Sequence, residues 1–161
     1  MAVQLLKCLS PAAVIVVDQR ASALESARTL GADHTVSAGA GAAAEVMELT
    51  RGRGADAVFD VVGVDATLAL AASVARPMGH LTIVGIGGGS LPIGFFTIGY
   101  EVSVSTTYWG SLPELFEVIA LAQSGSIRTQ VTRYSLDDAH LAYEAMRAGT
   151  LDGRAVIVPE S

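Results

Sequence analysis

The sequence predicts an α/β fold, a doubly wound parallel sheet, on three observations. Two β-branched runs, AAVIVVD (12–18) and DAVFDVV (56–62), lack polar alternation over their length, as strands buried on both faces do. Segments with apolar residues at helical spacing follow such runs in turn. The connections between them are short, the pattern of strand–helix units feeding one sheet.

The run 12–18 opens the series. SALESARTLG after it sets Leu24, Ala27 and Leu30 on one stripe and ends in Gly31, placed as a C-cap. HTVS (34–37) is a short strand, AAAEVMELT (42–50) a helix, and 56–62 the next buried strand. DATLALAASVA (65–75) reads as a helix that Asp65 can cap, and HLTIVGI (80–86) as the strand after it. EVSVSTTYW (101–109) alternates like a strand. Ser111 with Glu114, and Ser135 with Asp138, have capping-box spacing ahead of LFEVIALAQSG and LAYEAMRAG. RAVIVP (154–159) is a final strand. No repeat, low-complexity linker or charged tail divides these elements, so residues 1–161 are read as one unit.

Composition narrows the function. With 51% hydrophobic and 16% charged residues and a mean hydropathy of +0.48, the chain calls for a large buried core. Its apolar runs fall short of the roughly 18 to 20 residues of a membrane span, and the start lacks the pattern of a signal peptide. A net charge of −6, with no Lys/Arg cluster interleaved with aromatics, argues against nucleic acid. The single cysteine, Cys8, and three scattered histidines have no metal-ligand spacing. A buried thiol in a reducing cytoplasm is expected.

Ligands of open parallel sheets bind beyond the carboxyl ends of the strands. At the first of these, Asp18 can accept from the two hydroxyls of an adenosine ribose and would repel a 2′-phosphate, which favours NAD over NADP. Arg20, two residues on, could instead pair with a 2′-phosphate. Capping of the next helix by Asp18 is the alternative. FDVVGVD and IVGIGGG at two further ends offer backbone, their glycines letting a flat ligand approach closely. Asp60 stands alone there and is read as structural. HLTIVGIGGGS looks like a phosphate loop, but Ser90 occupies the sixth position of G-x-G-x-x-G, and LPIGFFTIG after it lacks helical spacing.

Taken in order, VDQRASALESARTLGADHTV, FDVVGVDATL, GHLTIVGIGGG, SVSTTYWGSLPELFEVIALAQSG and LDGRAVIVP resemble the C-terminal, NAD-binding part of medium-chain, zinc-type alcohol dehydrogenases. Bacterial NAD-dependent secondary alcohol dehydrogenases are the nearest in pattern. The resemblance implies a Rossmann-type sheet truncated at its N-terminus. The glycine-rich loop and the N-terminal catalytic domain, with all the zinc ligands, are then absent. It matches Asp18 to the ribose-binding acid and sets Arg20 near the adenine. Val61 and Val62 match backbone positions over the adenosine side, and Val84, Gly85 and Ile86 those facing the nicotinamide. Tyr108 and Trp109 resemble pocket residues between nicotinamide and substrate, with packing in a core or an interface as the alternative. Arg154 matches an arginine reaching the pyrophosphate; an exposed ion pair is the alternative. No catalytic or metal residue is assigned.

The function this implies is the cofactor side of an NAD-dependent alcohol dehydrogenase, inactive as this chain alone and binding NAD weakly. A non-catalytic nucleotide-binding or oligomerisation module is the alternative. In the strand order 3-2-1-4-5-6 the absent strand is the central one, so runs 12–18 and 56–62 must pair directly or leave edges unpaired. A homo-oligomer covering such an edge is expected, or a partner supplying the N-terminal catalytic domain.

Overall fold

The computed structural model describes residues 1–151 and 153–159; Asp152 of the LDGRAVIVP segment lies outside the described residues. After helix α1 (Ala2–Leu9) come β1 (Ile15–Asp18), α2 (Ala21–Thr29), β2 (His34–Ser37), α3 (Ala42–Leu49), β3 (Ala55–Asp60), α4 (Asp65–Val74) and β4 (Ala75–Ile83). Then follow β5 (Ser103–Thr106), α5 (Leu112–Gln123), β6 (Val131–Tyr134), α6 (Ala139–Ala148) and β7 (Arg154–Ile157). All strand pairing is parallel: β1 with β2, β3 with β4 and β4 with β5, and β6 with β7. The α/β class and the strand–helix alternation are as expected, but the single sheet is divided. β1 and β3 do not pair with each other, so the second outcome expected for these strands, unpaired edges, is the one found.

One core holds the two principal sheets together. Val36 of β2, Ala42 and Val46 of α3 and Val74 of α4 are buried as a cluster, with Ile15 and Val17 of β1 and Val58 of β3 packed against it. Val36 is 0% exposed, and full burial of a valine contributes about 1.5 kcal/mol or more. On α2, the predicted stripe buries Leu24 and Ala27, while Leu30 stays partly exposed as the C-cap. Gly31 follows at φ +100°, the left-handed turn that lets the chain reverse into β2.

Polar ties fix the periphery. Asp33 accepts the Val14 N–H at 2.7 Å and both its oxygens take the Lys7 ammonium, at 3.0 and 3.1 Å, joining α1 to the first sheet. These partners, the Val14 N–H first and Lys7 next, hold the Asp33 carboxyl below its ordinary value. The Gln4 amide makes reciprocal bonds of 2.9 and 2.8 Å with the Arg128 backbone.

Several boundaries differ from the sequence reading. β4 begins at Ala75, running through Pro77 and Met78, the latter at φ 60°; a proline and a left-handed residue hide that part of the strand. β6 was not anticipated, because VTRY is short and carries Arg133 mid-strand. β5 stops at Thr106, leaving Tyr108 and Trp109 outside it. Asp65 does not cap α4: Val64 is the N-cap, its N–H donates to Thr67 Oγ1 at 3.2 Å, and Asp65 Oδ1 instead accepts the Ser90 N–H at 2.7 Å. Cys8 is exposed, not buried, since α1 buries none of its residues.

Candidate functional site

The carboxyl ends of β3 and β4 are built around Asp60, which is 6% exposed. Its Oδ1 accepts the N–H groups of Val62 and Gly63 at 2.8 and 2.9 Å, and its Oδ2 accepts the Thr67 hydroxyl at 2.7 Å. The carboxylate thereby shapes the turn from β3 into α4. Its carbonyl in turn accepts from Val84 and Gly85 at 2.8 and 2.9 Å, so one residue sets both strand ends. The structural reading of Asp60 holds, and the site is organised by it.

The loop after β4 lies on the loop after β3. Gly87 donates to the Val62 carbonyl at 3.0 Å and Gly89 to that of Gly63 at 2.8 Å. A Cβ on Gly85 would overlap the Val62 backbone, and one on Gly63 the Gly85 carbonyl. The glycines were expected to admit a flat ligand; at 63, 85, 87 and 89 it is the opposing loop that occupies the space. No helix follows Ser90, and residues 87–102 are irregular. A helix N-terminus that could face a phosphate is therefore missing from this loop.

The predicted residues of two strand ends are thus brought together. Val61, Val62, Val84 and Ile86 surround the Gly85–Val62 contact and are 62%, 50%, 40% and 89% exposed, an apolar surface open to a ligand. Beside them is an open cleft of about 580 Å³ lined by Gly63, Gly85, Ile86, Leu91, Ser105 and Thr106 among others. The hydroxyl-bearing Ser105 and Thr106 were not singled out in the sequence; their place at the end of a strand was the available signal.

Asp18 ends β1, as predicted. Its Oδ1 accepts the Arg20 N–H at 2.8 Å and meets Arg20 Nε at 3.5 Å. This is a local turn and not a helix cap, because the N-cap of α2 is Arg20 itself and has no side-chain cap bond. Oδ2 has no protein partner among the described residues, so one carboxylate oxygen remains free to accept hydrogen bonds. The Arg20 guanidinium is drawn toward Asp18, so opposite charges meet at the end of β1.

Tyr108 and Trp109 stack edge to face, with ring centroids 5.0 Å apart, and are 79% and 82% exposed; they line neither the cleft nor a core. Arg154 opens β7, donates its N–H to the Gln130 carbonyl at 2.9 Å, and is exposed away from the cleft. Among the described residues no group of three His, Cys, Asp or Glu side chains could hold a metal ion, so the residues present do not fit zinc. None of the described helices is long and apolar enough to cross a membrane.

Comparison with known proteins adds the following. The family model described as zinc-binding dehydrogenase matches residues 1–124, and it represents the C-terminal, NAD-binding region. The NAD-dependent alcohol dehydrogenase of Sulfurisphaera tokodaii is 32% identical over 163 residues, covering 99% of this chain and 47% of that protein. The D-arabinose 1-dehydrogenase (NADP(+)) of Saccharolobus solfataricus is 31% identical, covering 98% and 45%. The crystal structure of the alcohol dehydrogenase from the hyperthermophilic archaeon Aeropyrum pernix matches with a TM-score of 0.88 at 40% identity, over 98% of this chain and 46% of that one. The chain spans about half the length of the curated relatives it matches.

Proposed function

The chain belongs to the zinc-binding dehydrogenase family, and on that premise we propose that it is the cofactor-binding half of an NAD-dependent alcohol dehydrogenase, taking NAD along the carboxyl ends of β1, β3 and β4. The observation that carries this reading is the free Oδ2 of Asp18 at the end of β1. Asp18 would hold the adenosine ribose. Val61 and Val62 would cover the adenosine side, and Val84, Gly85 and Ile86 the nicotinamide, whose ring supplies hydride transfer to or from a secondary alcohol when the cofactor is bound. The Ile86 N–H, without a protein acceptor among the described residues, suits the carboxamide.

Binding by this chain is weak in our reading, because among the described residues no glycine-rich loop at the ends of β1, β3 and β4 opens a helix whose N-terminus could receive the pyrophosphate. Tyr108 and Trp109 would wall the substrate side and Arg154 would reach the pyrophosphate only in a further assembly. We also propose a homo-oligomer in the cytoplasm, supported by the apolar face of α5, where Leu112, Leu115 and Phe116 are 65%, 53% and 62% exposed. Calorimetry with NAD tests the cofactor reading. Saturable binding weaker than micromolar is expected, reduced about tenfold by Asp18→Ala through loss of its ribose hydrogen bonds. Binding unchanged by that substitution would show that NAD does not lie on β1.

A further inference from the structure

The loop after β4 is tied down by a side chain that the cofactor reading does not use. Gly87 and Gly89 donate to the carbonyls of Val62 and Gly63, backbone to backbone, at 3.0 and 2.8 Å. One residue further on, the Ser90 N–H is taken by a carboxylate instead, Oδ1 of Asp65 in the first turn of α4, at 2.7 Å. The chain lies flat against the helix there: a Cβ on Gly89 would overlap the Val64–Asp65 peptide. Beyond Ser90 this support ends. Residues 91–102 form neither helix nor strand. They double back where Thr97 Oγ1 accepts the Gly94 N–H at 2.6 Å and donates to the Pro92 carbonyl at 3.1 Å. The segment is tied to β4 again where the Tyr100 carbonyl accepts the Met78 N–H at 2.8 Å. Residues 91–99 thus form a strap with an anchor at each end. Leu91 and Ile93 on this strap line the open cleft of about 580 Å³, together with Gly85 and Ile86.

The two anchors differ in kind. The Met78–Tyr100 bond is backbone at both ends, whereas the bond at Ser90 depends on one side chain. We propose that Asp65 is a positioning residue of the cofactor site: by holding the Ser90 N–H it sets where the strap leaves the β4 loop, and so how Leu91 and Ile93 wall the cleft beside Gly85 and Ile86. This inference rests on the reading above, in which that backbone faces the nicotinamide. It divides the cofactor in two. The turn at Val61 and Val62, on the adenosine side, is held by Asp60 and not by Asp65. Loss of the Asp65 carboxylate should therefore be felt at the nicotinamide end alone. An acid in the first turn of a helix also favours the helix dipole, a role that needs charge and not an acceptor aimed at Ser90. The two roles part when the carboxylate is replaced by an amide, which keeps the acceptor and removes the charge.

The test uses the full chain with Asp65→Ala and Asp65→Asn; Asp65 is exposed, so neither substitution opens the core. Amide hydrogen exchange is followed at Ser90, and calorimetry compares NAD with adenosine diphosphate ribose, which lacks the nicotinamide. Asp65→Ala should speed exchange at Ser90 and weaken NAD, each about fivefold, and leave adenosine diphosphate ribose at the parent's affinity. Asp65→Asn should stay close to the parent in all three measurements. Unchanged exchange at Ser90 in Asp65→Ala overturns the proposal, because no latch then exists in solution. Faster exchange with unchanged NAD affinity overturns it as well, as does equal weakening of the two ligands, the mark of a general support to the fold. An Asn variant as impaired as the Ala one would assign the effect to charge at the helix end. A parent chain that binds neither ligand overturns the cofactor reading itself and this role with it, a result told apart from failure of the latch by exchange at Ser90.

Discussion

Gly85 rests flat on the backbone of Val62, so closely that a methyl group on its Cα would overlap Val62's nitrogen and carbonyl carbon. Val62 cannot yield cheaply, because its N–H is held by Asp60 and its carbonyl by Gly87. Gly85→Ala should therefore destabilise the chain by about 1–3 kcal/mol, the range for forced overpacking. Gly41→Ala is the steric control: nothing lies within 4 Å of its added Cβ, so it should cost distinctly less than Gly85→Ala, the remainder being the poorer N-cap that Ala makes. Urea unfolding of both variants checks this; equal costs would show that the loop contact is not tight in solution.

The carboxylate of Asp60 is the second fixed point of the site. Asp60→Ala strands the N–H groups of Val62 and Gly63 and leaves the Thr67 hydroxyl only the Val64 carbonyl, and should cost about 3 kcal/mol. Asp60→Asn keeps an acceptor for the two N–H groups and should cost distinctly less. Thermal unfolding orders the two variants, and an Asn variant as damaged as the Ala one would mean that charge, and not hydrogen bonding, holds the turn.

How far the sequence discloses these features depends on the range of the cause. The His34–Ser37 strand, the Gly31 turn and the Ser111–Glu114 box are legible because each is decided within a few neighbouring residues. Asp18 and the ends of β3 and β4 are likewise placed by the pattern of elements. What the glycines at 85, 87 and 89 pack against is not legible, because their partners lie more than twenty residues away on another strand end. The same holds for β6, whose strand character comes from pairing with β7 and not from its own composition. The exposure of Cys8 follows from what α1 fails to pack against, which no local signal records.

Asp56 gives stability a defined pH dependence. Arg53 donates to its two oxygens at 3.0 and 2.7 Å and Arg76 Nε donates at 2.6 Å, and these bonds, Arg53 first, hold its carboxyl below the ordinary value. A group whose folded value is depressed contributes stability that is fully present above its unfolded value and lost as pH falls through the folded one. Asp56→Asn should thus be less stable than the parent at pH 7, with the difference closing below about pH 4, where the unfolded carboxyl titrates. Because these side chains are largely exposed, the difference should also shrink in added salt. Urea melts at pH 7, 5 and 3 decide it; a difference independent of pH would assign the effect to lost packing.

Helix α5 should respond locally to loss of its cap. Ser111 Oγ accepts the Glu114 N–H at 3.4 Å, and Glu114 Oε2 accepts from the Ser111 N–H and hydroxyl, the N–H being the first cause of a carboxyl held below its ordinary value. Loss of such a cap typically costs about 1 kcal/mol. Elsewhere that sum would lower the stability of the whole fold, but α5 buries no residue, so its first turn can open without exposing core. Ser111→Ala should therefore speed amide exchange through residues 112–116 about fivefold, the factor that about 1 kcal/mol represents, and leave the global melting temperature in place. A global shift would mean that α5 is packed in solution, by a second copy or another partner seated on Leu115 and Phe116. In that case the shift should shrink as the protein is diluted, because the covering surface leaves and the first turn of α5 is free to open locally again.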